Sequence, residues 1–211
     1  MLNQPEFANP ILSKEEATET LRPYFSDFRK IEDDAWGEWL AYHKRHKLDN
    51  RARAAFIHCF LVELALEKFS KRKGTKAVRG GNTFWLYIGD HIKTRFKKLD
   101  RKKLYRNYPT RTQLKLALQG NIPGILPGTY LTLGYLLDEL EQAIERHLVT
   151  LQMGKKVIYE IDIDAELAQT TAPVVPMPTP AAPPTTERRV RPRRIAVAKE
   201  AKARGNVAGG E

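Results

Sequence analysis

The stretch Thr129–Gly154 decides the predicted fold, and its sequence is TYLTLGYLLDELEQAIERHLVTLQMG. Its apolar positions, together with one histidine, recur at steps of three and four residues, which is the spacing of one face of an α-helix. These positions are Leu133, Leu137, Leu140, Ile144, His147 and Leu151. Thr129 can cap the first turn and Gly154 can end the last one. The helix would be roughly 35 Å long, which is enough to organise a small helical bundle.

Five further segments carry helix patterns, two of which are 36–48 and 51–70. Ser13 and Glu16 form a capping box at the start of a first helix. The segment 84–99 has an apolar stripe at helical spacing, and 110–119 opens with a second capping box. The residues of the stripe are Trp85, Ile88, Ile92, Phe96 and Leu99. We therefore predict a mainly α protein, a small bundle of five or six helices.

One segment near the end of this domain has a different period. In residues 157–164, Ile161 and Ile163 alternate with acidic residues, which is the pattern of a half-buried strand. A lone strand is marginally stable in water. We expect this strand to pair with a protein partner, with a second copy of the chain, or with an additional strand near Ala77 and Val78.

The last quarter of the chain differs in composition from the rest. Seven of the 13 prolines lie between Pro173 and Pro192, so this part has no means of building a core. The predicted organisation is a flexible N-terminus over 1–11, a helical domain over 12–165, and a disordered Pro-rich linker with a basic tail over 166–211.

Composition places the protein among soluble intracellular chains. Cys59 is the single cysteine, which excludes an internal disulfide framework. Residues 1–10 lack the basic and apolar regions of a signal peptide. The longest apolar run, 54–69, is too short and too often interrupted by charged residues to cross a bilayer. We expect a cytoplasmic protein that does not bind membranes.

Positive charge is concentrated in one segment. Residues 71–111 contain 14 lysines and arginines against two aspartates, a net charge of +12, whereas the whole chain carries +11. Duplex nucleic acid is a dense line of phosphates, and a protein that neutralises them needs many cations with few competing acids. We therefore predict a non-enzymatic nucleic-acid-binding protein, with DNA favoured over RNA, that acts through phosphate contacts.

The candidate binding residues are the cations and two interleaved tyrosines of this basic segment, together with five arginines of the tail. In the segment they are Lys71, Arg72, Lys73, Lys76, Arg79, Lys93, Lys97, Lys98, Arg101, Lys102, Lys103, Tyr105, Arg106, Tyr108 and Arg111. In the tail they are Arg188, Arg189, Arg191, Arg193 and Arg194. Tyr105 and Tyr108 could stack on unpaired bases, or their rings could be core edges with solvated hydroxyls.

The predicted helix 84–99 is the element expected to face nucleic acid. A helix–turn–helix formed by 110–119 and 129–153 is rejected, because the link of about nine residues is too long. The second of these helices is also acidic and would be repelled by phosphate.

No motif predicts an enzyme, a metal site or a cofactor. His43 and His46 have no further ligand nearby in sequence, and the pair His58–Cys59 is more consistent with a buried structural thiol than with a nucleophile and its base. The glycines of 74–81 match no nucleotide-binding pattern. The alternative function is a helical adaptor of a multiprotein complex whose basic face docks an acidic protein. A catalytic subunit completed only on assembly is a third hypothesis.

Overall fold

The computed structural model describes residues 11–80, 83–105, 110–120 and 128–171. These ranges contain five α-helices and six β-strands. The helices are α1 (Lys14–Leu21), α2 (Phe25–Ala41), α3 (Asn50–Phe69), α4 (Arg111–Ala117) and α5 (Ile163–Thr171). The strands are β1 (Thr75–Gly80), β2 (Thr83–Ile88), β3 (Ile92–Lys98), β4 (Thr129–Leu137), β5 (Ile144–Met153) and β6 (Lys156–Asp162).

The six strands form one mixed sheet in the order in which they occur along the chain. Neighbouring strands are antiparallel except β3 and β4, which are parallel. Parallel neighbours need a crossover connection, because a tight hairpin cannot join them. The connection from β3 to β4 contains α4, and the buried Leu116 of α4 packs against Trp85 and Tyr130.

The two faces of the sheet are covered differently. On the covered face, α1, α2, α3 and α5 pack against a large apolar core that includes Phe28, Phe69, Leu86 and Phe96. On the opposite side, here called the α4 face, a smaller cluster joins Trp85, Tyr87, Tyr130 and Leu116, with Tyr105 packed against it. Alternation along each strand decides which side chains reach which face.

The stretch Thr129–Gly154 is a β-hairpin and not the predicted long helix. Every residue of β4 is buried, so this strand is apolar on both faces and lacks the alternation that marks a half-buried strand. Leu140, which the helix pattern counted as core, is 75% exposed in the turn between β4 and β5. The prediction of a mainly α, all-alpha bundle is therefore wrong.

The segment 84–99 is also a hairpin, formed by β2 and β3. Gly89, with a φ of +55°, and Asp90 make the turn that joins the two strands. Phe84 and Phe96 point into the covered-face core, while Trp85 belongs to the smaller cluster on the other side. The predicted nucleic-acid-facing helix does not exist, because an apolar run buried on both sides mimics a helical stripe.

Several local predictions are confirmed. The capping box of Ser13 and Glu16 opens α1, and the Thr110 side chain accepts a hydrogen bond from the amide of Gln113 at the start of α4. The strand predicted over 157–164 is present as β6, and the predicted domain 12–165 therefore contains a six-stranded sheet.

This strand pairs with β5 of its own chain; the additional strand expected near Ala77 and Val78 is present as β1, but it lies at the opposite edge of the sheet. Pairing of the other edge of β6 with a second chain stays a prediction. Of the linker and tail predicted over 166–211, residues 166–171 belong to α5, and residues from 172 onward lie outside the described residues. Within the described parts of the chain, no helix has both the length and the apolar character needed to span a bilayer.

Candidate nucleic-acid interface

Four exposed cations gather at the β1 edge of the sheet. Lys71 and Lys73 lie in the turn between α3 and β1, and Lys76 and Arg79 lie on β1 itself. These four residues are called the edge cluster below. Because β1 is the first strand in the sheet order, its outer edge has no neighbouring strand among the described residues. In the same ranges, no carboxylate lies within ion-pair distance of any of the four cations.

The turn that carries Lys71 and Lys73 is held in a defined conformation. The Thr75 hydroxyl donates to the carbonyl oxygens of Phe69 and Arg72, each at 2.9 Å. Gly74 adopts a φ of +79°, and its carbonyl accepts a hydrogen bond from the Gly89 amide at 2.8 Å. The local backbone therefore fixes where the edge cluster begins.

Arg72 belongs to the same turn but has a structural role. Its guanidinium forms an ion pair with Asp27 of α2 and donates to the Pro23 carbonyl at 2.9 Å. It also lies 4.3 Å from the ring centroid of Tyr24. These contacts fasten the turn to the helical layer, so we exclude Arg72 from the predicted phosphate-binding surface.

A second group of cations lies on the α4 face along β3. Lys93, Arg95 and Lys97 occupy alternate positions, so all three project to this face; they are called the β3 row. Lys93 is 2% exposed and Arg95 is 7% exposed, and Lys97 is partly buried. The Arg95 guanidinium lies 5.0 Å from the ring centroid of Trp85, within the range of a cation–π contact.

Burial and mutual repulsion make the β3 row electrostatically unusual. Burial lowers the pKa of Lys93. Burial, with the nearby charge of Arg95, lowers the pKa of Lys97 to about 8. The positive potential reaches α3, where burial and the charges of Lys97, Arg95 and Arg79 lower the pKa of His58 to about 4.

Three predicted binding residues are instead paired with carboxylates of the same chain. Lys98 contacts Glu141, Arg101 contacts Glu145 and Lys103 contacts Glu160, each with a nitrogen–oxygen distance of 2.5 Å. The cations of the basic segment 71–111 therefore do not all remain available for binding, since part of the charge of residues 98–103 is neutralised within the molecule.

The remaining predicted binding residues are exposed, partly buried or outside the described residues. Lys102 and Arg111 are exposed. Tyr105 is partly buried, with its ring centroid 6.3 Å from that of Tyr130 in an edge-to-face arrangement, as expected for a core-edge ring. The remaining candidates lie outside the described residues: Arg106, Tyr108, Arg188, Arg189, Arg191, Arg193 and Arg194.

The sequence interpretation missed Arg95 and its aromatic neighbour Trp85. The available signal was the run Lys93-Thr94-Arg95-Phe96-Lys97, in which cations occupy every second position. In a strand this period of two places all three cations on one face. The interpretation of 84–99 as a helix concealed that arrangement.

The weaker sites have mixed outcomes. Cys59 is exposed, so the prediction of a buried structural thiol is wrong. Across the ranges that the structure describes, no group of three or more histidine, cysteine or acidic side chains is arranged to hold a metal ion.

Comparison with known proteins gives no significant match: no family model, no curated protein sequence and no solved structure resembles this chain.

Proposed function

We propose that the protein binds nucleic acid without catalysis, through phosphate contacts made mainly by the edge cluster. The observation that supports this proposal is the exposure of four cations within nine residues, on a sheet edge where the described chain supplies no carboxylate partner. A cation that is already paired gains little from a phosphate, whereas an unpaired one releases condensed counterions when it binds.

The dimensions of the edge suit several phosphates. The six residues of β1 extend over roughly 20 Å at about 3.3 Å per residue. Lys76 and Arg79 are three positions apart and therefore project to opposite faces of this edge, and Lys71 and Lys73 extend the charge beyond one end. Duplex DNA carries one negative charge per about 1.7 Å of axis, so a segment lying along the edge offers phosphates to the cations on both of its sides.

The same geometry gives little reason to expect sequence-specific binding. Direct base readout commonly uses a helix or a two-stranded ribbon inserted into the major groove. The helix predicted for that task is the β2–β3 hairpin, whose side chains are mostly buried. Binding should therefore depend on phosphates. The preference for DNA over RNA remains a prediction from the sequence.

The experiment measures binding of the full chain to fluorescent duplex and single-stranded oligonucleotides by anisotropy. Affinity should fall steeply between about 50 and 200 mM salt. A variant with Lys71→Gln, Lys73→Gln, Lys76→Gln and Arg79→Gln should bind more weakly. Its log–log salt slope should be shallower by up to about 3.6, because each lost phosphate contact removes about 0.9.

A matched control removes four exposed lysines elsewhere, with Lys14→Gln, Lys44→Gln, Lys155→Gln and Lys156→Gln. It changes the net charge equally but leaves the edge cluster intact, so its salt slope should stay close to that of the wild type. Equal losses in the two variants would overturn the assignment of the edge cluster. Weak and salt-insensitive binding by the wild type would overturn nucleic-acid binding itself and favour the adaptor hypothesis.

A further inference from the structure

Arg95 is a buried cation that lacks a counter-ion. Its side chain is more than nine-tenths buried, and its Nε atom has no hydrogen-bond partner. Among the described residues its guanidinium forms no hydrogen bond or ion pair; it lies over the Trp85 ring, and its charge acts on the Tyr105 and Tyr130 hydroxyls. A guanidinium has five N–H donors, and leaving a buried charge unpaired is strongly unfavourable.

Lys93 is a second deeply buried cation, two residues away on the same strand. It is 2% exposed, and within the described chain no hydrogen bond or ion pair involves its ammonium group. Two residues along a strand correspond to about 6.6 Å, and both side chains project to the α4 face. One anion could therefore contact both cations.

Tyr130 supplies a third buried polar group beside them. It is paired in register with Lys93, on the neighbouring strand β4. The hydroxyls of Thr132 and Tyr105 lie close enough to influence its pKa, which burial raises. However, no hydrogen bond of normal geometry satisfies the buried Tyr130 oxygen within the described residues. Lys93 and Arg95 of β3 and Tyr130 of β4 thus project to the same face from adjacent strands.

On the α4 face, the carboxylate that lies in the same register row as Arg95 is too distant to form an ion pair with it. The register runs from Arg95 through Thr132 and Thr150 to Glu160 on β6. Three strand spacings separate the two ends of this row, which is about 14 Å. Glu160 is in any case paired with Lys103. This row of the sheet therefore supplies no carboxylate partner for Arg95.

We propose that Lys93, Arg95 and Tyr130 form a binding site for a phosphate group on the α4 face, distinct from the edge cluster. Phosphate suits these donors better than a monovalent halide. Its oxygens can accept two parallel N–H bonds from a guanidinium, and others remain for an ammonium and a hydroxyl. The source could be inorganic phosphate or the phosphate of a nucleotide, since both present the same oxygens.

Side chains that cover the site limit the exchange of a bound anion with solvent. Leu116 of α4 and Tyr105 pack against the aromatic rings that flank Arg95. The side chain of Gln119 fastens the end of α4 through two hydrogen bonds to the backbone of Tyr130, at 2.7 and 2.9 Å. Exchange of a covered anion is expected to be slow, so phosphate that copurifies and phosphate that is added must both be measured.

The experiment uses the full chain, prepared in chloride buffer without phosphate. The protein is denatured in acid and assayed for released phosphate. A second portion is refolded or extensively dialysed and titrated with inorganic phosphate, with adenosine monophosphate, and with 5′-phosphorylated and 5′-hydroxyl oligonucleotides. Thermal unfolding and calorimetry should report saturable binding and a Tm that rises with phosphate concentration. The relative response to the four probes identifies the source.

The variants separate a binding role from a structural one. Lys93→Met should weaken phosphate binding at least about tenfold, and Arg95→Met should abolish it, because each removes a charge-assisted contact. In phosphate-free buffer both variants should have a higher Tm than the wild type, since an unpaired buried charge is gone. If either cation had a structural role instead, its replacement would lower the Tm in phosphate-free buffer.

Lys155→Met is the matched control, because Lys155 is exposed and belongs to neither the β3 row nor the edge cluster. It should retain the full phosphate response. Absence of copurified phosphate together with no response of the wild type to inorganic phosphate or adenosine monophosphate would overturn the site, because the oligonucleotides can also bind the edge cluster. Because the edge cluster shares no residue with it, this result is independent of the duplex-binding measurement, and either proposal can fail alone.

Discussion

The two halves of the α4 face use similar side chains in opposite ways. In the half formed by β4–β6, Arg146 contacts Asp162 at 2.7 Å, and Lys103 contacts Glu160 at 2.5 Å. In the half formed by β1–β3, Lys93 and Arg95 are more deeply buried, yet no described carboxylate pairs with either. Only the second arrangement leaves cationic charge available to an external ligand.

Whether a cation is paired with a carboxylate therefore distinguishes structural cations from binding cations better than the local density of positive charge does. The paired cations at 101 and 103 connect the segment after β3 to β5 and β6 and so hold it against the sheet. Ion pairs of this partly exposed kind contribute about 0 to 1 kcal/mol each. Their main effect is positional, and the unpaired cations are the ones whose removal should change binding.

The largest effect is expected where a partner is removed from a buried pair. On the covered face, Glu32 contacts the Nδ1 atom of His147 at 2.7 Å, and both side chains are buried. Glu32→Ala should lower the free energy of unfolding by about 3 to 5 kcal/mol, because it removes the buried partner of His147 and leaves at that ring only the exposed Asp33, 3.3 Å from Nε2. Urea unfolding measures this loss. Glu38→Ala, at an exposed position of the same helix, should change little, and equal effects would contradict the pairing argument.

A comparison of two arginines sharpens the contrast between the halves. Arg146→Met should lower the free energy of unfolding by about 1 kcal/mol, because it removes a partly exposed pair with Asp162. Arg95→Met should raise it by about 1 to 3 kcal/mol in phosphate-free buffer, because it removes a buried charge that lacks a partner. Both values come from urea unfolding at neutral pH. Destabilisation of similar size in both variants would show that Arg95 is satisfied within the fold.

A smaller effect concerns pH. Burial favours neutral His147, but its hydrogen bond to Glu32 and the charges of Glu32, Asp164 and Asp33 outweigh this effect and raise the pKa. A histidine with a raised pKa stabilises the fold fully below its unfolded pKa of about 6.5, and the stabilisation is lost as the pH rises through the folded pKa.

The check is the difference in unfolding free energy between the wild type and His147→Gln across this pH range. That difference should shrink as the pH rises above about 6.5. The subtraction is needed because Lys97, with a pKa lowered to about 8, contributes a trend of the opposite sign. A difference that stays constant with pH would mean that His147 is not protonated in the fold.

Local features of the fold were predictable from sequence, whereas the sheet was not. Capping at Ser13 and Thr110 depends on residues three positions apart, so the sequence carries the complete signal. The strands β2 and β4 are buried on both faces, which removes the alternation that identifies a strand. The turn at Gly89 and Asp90 was the local sign of a hairpin, and it lay inside a stripe that also fitted a helix.

The positive charge of the candidate site was predictable from the sequence, but which of its cations are paired with carboxylates was not. Composition located the basic segment, and the edge cluster lies within it. Whether a given cation is free depends on pairs that are distant in sequence: Lys103 and Glu160 are 57 residues apart, and Lys98 and Glu141 are 43 apart. Such pairs follow from the strand order, which the sequence interpretation did not contain.

The parallel pairing of β3 with β4 has a consequence for how the molecule assembles. Each half of the sheet is a three-stranded meander that can form from local turns, but joining the two halves requires closure of the long connection that contains α4. Lys93 and Arg95 belong to the first meander and Tyr130 to the second, so an anion bound by all three would connect the two meanders. Binding of the anion would then stabilise the pairing of the two meanders. Amide hydrogens along β3 and β4 should therefore exchange more slowly when the anion is bound.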